Sequence, residues 1–294
     1  MREFSLLHPL VCAAYFAAVL GFSMVLMHPA CLLISLVSGT VCMAAANRGK
    51  PGGSWYFFIP LALGTALLNP LFNHEGVTIL GYLPDGNPLT LESIAYGAAA
   101  AVMLAAVLCH FSVFHRVMTG EKWMYLFGRL APSLSLVLSM TLRFVPRFRV
   151  QLKEVLDAQR GVGRGISDGS LLRRLRGVIS VVSVMMTWSL ENAAETADSM
   201  KSRGYGAPGR TSYTGFRFTR RDAASLALLC VLTGYVLIGG ITGGLYFRYF
   251  PSMRGAALSP YGCSVLAAYL ALCLFPVGFE GKEALRWKKL RSKI

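Results

Sequence analysis

Charge is what this chain has least of. Only 15% of its 294 residues are Asp, Glu, Lys or Arg, against 54% hydrophobic ones, and mean hydropathy is +0.53. That balance excludes an ordinary soluble domain and fits several helices embedded in lipid. Acids are scarcest: 14 Asp and Glu stand against 29 Lys and Arg, a net charge of +15. Signatures of catalysis are missing as well. No GxxxxGK[ST] phosphate loop, nucleophile elbow or HExxH occurs, so nothing points to chemistry performed by this chain. The seven cysteines (12, 31, 42, 109, 230, 263 and 273) all lie in apolar runs, without CxxC or Cys/His ligand spacing. They read as small core residues rather than as a metal or redox site. Of the histidines, His28 and His74 are expected near outer helix ends and His110 and His115 near an inner end, interfacial rather than ligating. Arg2-Glu3, followed at once by an apolar segment, does not make a cleavable signal.

What is present is apolar length. A spanning helix needs about 20 largely apolar residues, and candidate spans run roughly over 9–27, 29–46, 54–72, 92–113, 223–247 and 257–279. The fold class is therefore all-α: a polytopic membrane protein of about six spans plus amphipathic helices on the cytoplasmic side. Basic residues are uneven. Eighteen of the 29 fall between Arg116 and Arg221, and six more from Lys282 onward. Loops rich in Lys and Arg stay inside, which is a cheaper account of the excess than nucleic acid. This places both termini, the Arg48 loop, the 114–222 segment and the basic tail in the cytoplasm. The Glu75/Asp85 loop lies outside, together with Arg248 and Arg254. Three regions follow: N-terminal spans over 1–113, a cytoplasmic or interfacial region over 114–222, and C-terminal spans with the tail over 223–294.

The 114–222 region is too long for a linker and too basic to cross. Its apolar stretches, Leu130–Leu142 and Gly177–Leu190, are shorter than a span and read as interfacial or packed helices, with short tilted spans as the competing view. Pro146 is placed to open a helix at its first turn, continuing through Phe148, Leu152, Val155 and Leu156 with Lys153–Asp157 as an i,i+4 pair. In the next helix Met186, Leu190, Ala193, Ala197 and Met200 recur at steps of three and four as an apolar stripe. Beside it Glu191, Glu195 and Asp198 form an acidic stripe, expected to pair with arginines such as Arg147 or Arg149. Asn192, Thr196, Ser199 and Arg203 form a third line.

Both helices run out at Arg-Gly. The second ends at Ser202-Arg203-Gly204, where Gly204 suits a left-handed residue just past the helix. The first ends at Arg160-Gly161 and again at Arg164-Gly165. A cation in the last turn suits the helix dipole. Two such tips on one side suit something more: a guanidinium binds a carboxylate through paired hydrogen bonds, and two tips suit a partner with two acidic sockets.

The stretches "LRFVPRF", "DAQRGVGRG" and "LENAAETADSMKSRGYG" resemble the transmembrane T component of energy-coupling factor transporters, the family of the cobalt-transport Q-type subunits. The resemblance covers most of the chain and is sharpest from about Ser133 to Gly206. It implies a non-catalytic subunit of an ATP-driven importer for vitamins or metal ions in a bacterial or archaeal cell membrane. Its two cytoplasmic coupling helices would each end in a motif centred on Arg, usually Ala-Arg-Gly, fitting grooves in a pair of ABC-type ATPases. A separate small membrane S component would bind the substrate. This chain would bind no cofactor, and ATP and Mg would sit on the partner ATPases. By residue, Ser202, Arg203 and Gly204 match the second motif, with Ser in place of Ala. The first motif departs in spacing, so either Arg160 or Arg164, with Gly165, takes its place; the count from Ala158-Gln159 favours Arg164.

Two other classes compete. A membrane enzyme acting on lipid-linked phosphate would use Arg143, Arg147, Arg149, Arg173, Arg174 and Arg176 as an anion site, but no acid/base partner accompanies them. An ion-coupled secondary transporter would need an ionisable residue in mid-span, and Glu92 lies only at a span edge. Small residues in "AYGAAAAVMLAA" (Ala95–Ala106) and "GGITGG" (Gly239–Gly244) allow close helix contact, more simply within the chain than with a partner.

Overall fold

The computed structural model describes residues 2–47, 55–82, 84, 86–163, 170–205, 215–255 and 259–281. The chain divides into two compact units. One comprises Met1–Trp123 with Phe216–Ile294, the other Met124–Gly215.

The first unit is a bundle of apolar helices: α1 (Arg2–Ser5), α2 (Pro9–Val25), α3 (Pro29–Asn47), α4 (Trp55–Phe72) and α5 (Leu91–Val117), then, after the second unit, α9 (Arg220–Ile241), α10 (Pro260–Cys273) and α11 (Phe275–Gly281). The helices α6, α7 and α8 belong largely to the second unit. Their starts are chemically marked. His8, Thr90 and Ser259 each accept a hydrogen bond from the first turn of the helix that follows, and Pro9 and Pro260 sit where a missing N–H costs nothing.

All six predicted spans are helical, with shifted bounds. By length and composition α3, α5 and α9 suffice to cross a membrane. The pair α10 and α11 is bent by 59°, so the span expected over 257–279 is broken at Leu274. The remaining two, Pro9–Val25 and Phe58–Phe72, are shorter apolar helices. α5 runs past residue 113 because Val113, Val117 and Met118 stay buried. α9 stops at Ile241, before the left-handed Gly243. The protein is a multi-pass, all-α membrane protein.

Within the bundle α5 packs against α2, α3 and α4, and α10 against α2, α3 and α9. Glycines set the closest approaches. A Cβ on Gly97 would lie 2.8 Å from the Ala66 carbonyl oxygen of α4, and one on Gly239 would lie 2.6 Å from Val265 on α10. These two members of the small-residue runs thus serve packing within the chain. Buried hydroxyls tie α2, α3 and α10 together. Ser23 and Ser35 share a bond of 2.6 Å, Ser23 and Tyr269 one of 3.2 Å, and the Tyr15 hydroxyl donates to the Cys273 carbonyl at 2.9 Å. In lipid no water competes for such groups, so pairing them inside the bundle holds helices together.

The cysteines divide: 12, 31, 42, 109 and 273 are buried as expected, whereas Cys230 and Cys263 are exposed on α9 and α10. His110 is also a correction. It is 1% exposed and packs beside Gly39 of α3, because Gly39 leaves room for its ring. Among the described residues no group of His, Cys, Asp or Glu is arranged to hold a metal.

One end of the bundle is closed by loops that the sequence topology puts together. Strands β1 (Ile79–Tyr82) and β2 (Pro88–Thr90) form a hairpin leading into α5. The Glu92 carboxylate accepts from the Thr78 hydroxyl at 2.9 Å and from its backbone N–H, and Ser93 Oγ donates to the Asn73 carbonyl at 2.6 Å. Glu92 is therefore an anchor for the hairpin. Beside it, β3 (Phe247–Arg248) and β4 (Arg254–Gly255) carry Tyr249, which donates to the Met27 carbonyl at 3.0 Å and packs with Leu32 and Ala99. The opposite end gathers α1, the starts of α6 and α9, and α11.

These approaches predict a contrast. Gly97→Val and Gly239→Val each force a shift where no room exists and should cost about 1–3 kcal/mol. Gly21→Ala on α2 meets nothing within 4 Å and should be neutral or stabilise by up to about 1 kcal/mol. Thermal unfolding in detergent measures all three, and equal midpoints for Gly97→Val and Gly21→Ala would contradict the packing described.

Candidate functional site

The second unit is built from most of α6 (Gly120–Leu130) and the long helices α7 (Pro132–Gly161) and α8 (Leu171–Ser202). Each long helix fuses an apolar stretch with the amphipathic segment after it. Pro132, at the N-terminus of α7, takes the place expected of Pro146, which lies inside the helix. An interior proline removes one backbone bond, and α7 continues through it. Neither α7 nor α8 is among the helices apolar enough over a span's length to cross a membrane.

The two helices pack together where residues 144–156 of α7 meet residues 181–188 of α8. Val155, Val181 and Met185 are buried there, with Leu152, Leu156 and Trp188 packed on them. Burying such side chains contributes about 1.5–3 kcal/mol each. Trp188 is the hub: Phe144 lies 5.5 Å and Phe148 6.2 Å from its ring, and the Arg147 guanidinium sits 5.9 Å over it. Arg147 is thus committed to a ring rather than to the acidic stripe. Glu191, Glu195 and Asp198 are exposed, with no ion pair to Arg147 or Arg149 among the described residues. The apolar stripe is also displaced. Met186 is 62% and Leu190 71% exposed, and the buried line is instead Val181, Met185 and Asn192. A rotation of one residue, about 100°, separates the two readings, and the ring of Trp188 selects the second. No sequence pattern singled out Trp188; its position two residues after the valine-methionine run that ends at Met186 was the available signal.

Beyond the crossing, α8 continues as a single exposed arm. From Trp188 to Ser202 it reaches about 21 Å at about 1.5 Å per residue. Its end is closed chiefly by backbone. Arg203 is the cap residue at φ −86°, ψ 8°, and Gly204 follows at φ +73°. The Gly204 N–H donates to the Lys201 carbonyl at 3.1 Å and the Tyr205 N–H to the Met200 carbonyl at 3.0 Å. This reciprocal pair satisfies carbonyls that a helix end leaves open, and it needs a left-handed glycine. Ser202 Oγ donates to the Ser199 carbonyl at 2.9 Å, turning the small hydroxyl back onto the helix. Arg203 is left exposed at the tip.

α7 ends in the same backbone shape. Val162 caps it at φ −88°, ψ 7°, Gly163 follows at φ +73°, and the Gly163 N–H donates to the Arg160 carbonyl at 3.0 Å. The helix passes through Gly161 and stops at Gly163, so the glycine that ends it is the middle one of three. Arg160 lies in the last turn, exposed, with its guanidinium 3.2 Å from Asp157. Such a surface pair adds little stability but holds the head along the helix. Arg164 and Gly165 lie outside the described residues. Of the other arginines considered for an anion site, Arg143, Arg149, Arg174 and Arg176 stand exposed along the two helices, and the side chain of Arg173 lies outside the described residues.

Residues 4–213 match the family model described as CbiQ, cobalt transport protein. The chain is 36% identical over 106 residues to the energy-coupling factor transporter transmembrane protein EcfT of Lactobacillus helveticus (strain DPC 4571), covering 36% of this chain and 38% of that protein. It is 33% identical over 112 residues to the EcfT of Bacillus selenitireducens, covering 38% and 42%. A protein of Mycoplasma genitalium described as uncharacterized matches at 27% over 215 residues, covering 64% of this chain and 48% of that one. The alignments thus span less than half the length of these curated relatives. The family model covers well over half of the chain and includes both glycine-stopped helix ends: the chain belongs to the CbiQ cobalt transport protein family.

Proposed function

We propose that this chain is the T component of an energy-coupling factor importer: a membrane subunit, without catalysis of its own, that passes the motion of a cytoplasmic ABC-type ATPase pair to a substrate-binding S component. The observation that carries the reading is the arm of α8, a long exposed helix whose glycine-closed end leaves Arg203 with no role inside the described chain. The relatives described as EcfT support it, as does the matching backbone at the end of α7.

On this reading the end of the bundle that gathers α1, α6, α9 and α11 faces the cytoplasm, with both termini. Arg203 enters an acidic groove on one ATPase, and Arg160 or Arg164 enters the other. Ser202 and Gly204 matter through the shape of the tip: a small side chain and a sharp stop let the guanidinium reach in. ATP and Mg bind the ATPases, whose closure moves the two grooves and swings the arms about the Trp188 crossing. Exposed apolar residues flanking the crossing, among them Leu136, Val137, Leu175 and Val182, need cover, and the S component or lipid supplies it. Vitamins or metal ions are the substrate classes, recognised by the other chain.

Burying an arginine–carboxylate pair at such a tip means that truncating one partner costs about 2–5 kcal/mol. Arg203→Ala should therefore weaken binding of the cognate ATPase pair roughly 30-fold or more, measured by co-purification from membranes, with this subunit still inserted. Undiminished recovery of both ATPases would refute the role. Comparing Arg160→Ala with Arg164→Ala identifies the second plug, the larger loss marking it. Gly204→Asn, which tolerates the left-handed backbone, should retain the ATPases. Gly204→Val should lose them at least in part, because a β-branched residue is strained at φ +73°; equal recovery from the two would show that the shape of the stop is immaterial.

A further inference from the structure

The chain leaves the bundle at Trp123 and re-enters at Phe216. Both crossings are fastened to one short stretch near the N-terminus. On the exit side, Lys122 is 4% exposed although Glu121 beside it is exposed, and its Nζ lies 3.5 Å from the Cys12 Sγ. Cys12 in turn points its thiol at the Phe4 and Leu7 carbonyls, at 3.6 and 3.8 Å. On the re-entry side, Phe218 packs edge-on against His8 at 5.1 Å. The Asp222 carboxylate accepts from the His8 backbone N–H at 3.0 Å with one oxygen. With the other it accepts from the Thr219 N–H at 2.9 Å and the Thr219 hydroxyl, closing the first turn of α9.

The two charges share a neighbourhood. The Cys12 thiol feels Lys122 by direct contact and Asp222 at longer range. Burying an ammonium and a carboxylate is expensive unless each compensates the other and their remaining bonds are made. Packing of α2 and α9 alone would not need either charge. Their placement, one residue before the exit and six residues after the re-entry, ties both ends of the 124–215 insertion to residues 4–12.

We propose that Lys122 and Asp222 are positioning residues, and that with the strap Phe4–Cys12 they hold the two chain crossings at a fixed separation. Resting on the coupling reading above, the joint is the bundle's fixed end of the lever: force collected at the arginine tips reaches the bundle through two crossings that cannot slide apart. The strap itself is a property of the bundle and is testable without ATPases.

The test uses the full chain in lipid nanodiscs, with spin labels attached through encoded unnatural residues at exposed positions 121 and 217, so that the native cysteines stay. A control pair sits at exposed positions 33 on α3 and 238 on α9. The parent should give one narrow 121–217 distance. K122A and D222A should each broaden it at least twofold while the control pair stays narrow. If either also disturbs the control pair, K122M or D222N replaces it under the same rule. A parental 121–217 width in either position's variant overturns the proposal. Co-purification of the ATPase pair with the parent reads the coupling hypothesis separately, so loss of one reading is distinguishable from loss of the other.

Discussion

A helix that ends in water must satisfy its last carbonyls, and the way α8 does so fixes everything that follows. Closing the end with a left-handed Gly204 lets backbone N–H groups do the work that a side chain would otherwise share. The cap residue is then free to be an arginine with an exposed side chain. α7 repeats the shape at Val162-Gly163, with arginines on either side of the stop rather than on it. The two ends are alike in backbone and different in where the cation stands, which is why one motif is plain and the other ambiguous.

A tip can transmit force only if the body behind it is stiff. The arm of α8 is one uninterrupted helix from the crossing to Ser202, and its crossing with α7 is pinned by a tryptophan with rings and a guanidinium around it. The bundle is held together differently. In lipid, burial of apolar groups does not distinguish inside from outside, so the bundle is held by close glycine contacts at Gly39, Gly97 and Gly239 and by paired hydroxyls of Ser23, Ser35 and Tyr269. The charged residues it buries, Glu92 at one end and Lys122 and Asp222 at the other, fasten connecting segments. None of them stands in mid-span, as ion coupling would require.

Much of this was legible in the sequence. Hydropathy located α2, α3, α4, α5, α9 and α10, though neither the short α1 nor the break that separates α11. Gly204 could be assigned its left-handed role from position alone, because few residues other than glycine adopt it. The reading by hydropathy, which opened this span at residue 223, passed over the capping pair Thr219 and Asp222 that starts α9 at Arg220. The failures have a common source. Pro146 satisfies a local rule for a helix start, but so does Pro132, and only the continuity of the helix decides between them. The stripes through Met185 and Met186 have the same period, and the choice depends on a ring from the other helix. The burial of Lys122 and His110 depends on segments more than 70 residues away in sequence, which no local pattern reports.

The most direct measurement is photo-crosslinking from a benzophenone amino acid placed at position 203 of the full chain, co-expressed with its ATPase pair. The same probe at Asp198, on the flank of the arm, serves as the control. Crosslinks from 203 into an ATPase subunit should be at least tenfold more abundant than those from 198. Crosslinks from 203 to lipid, to this chain alone or to no protein, with the ATPases present and active, would contradict it.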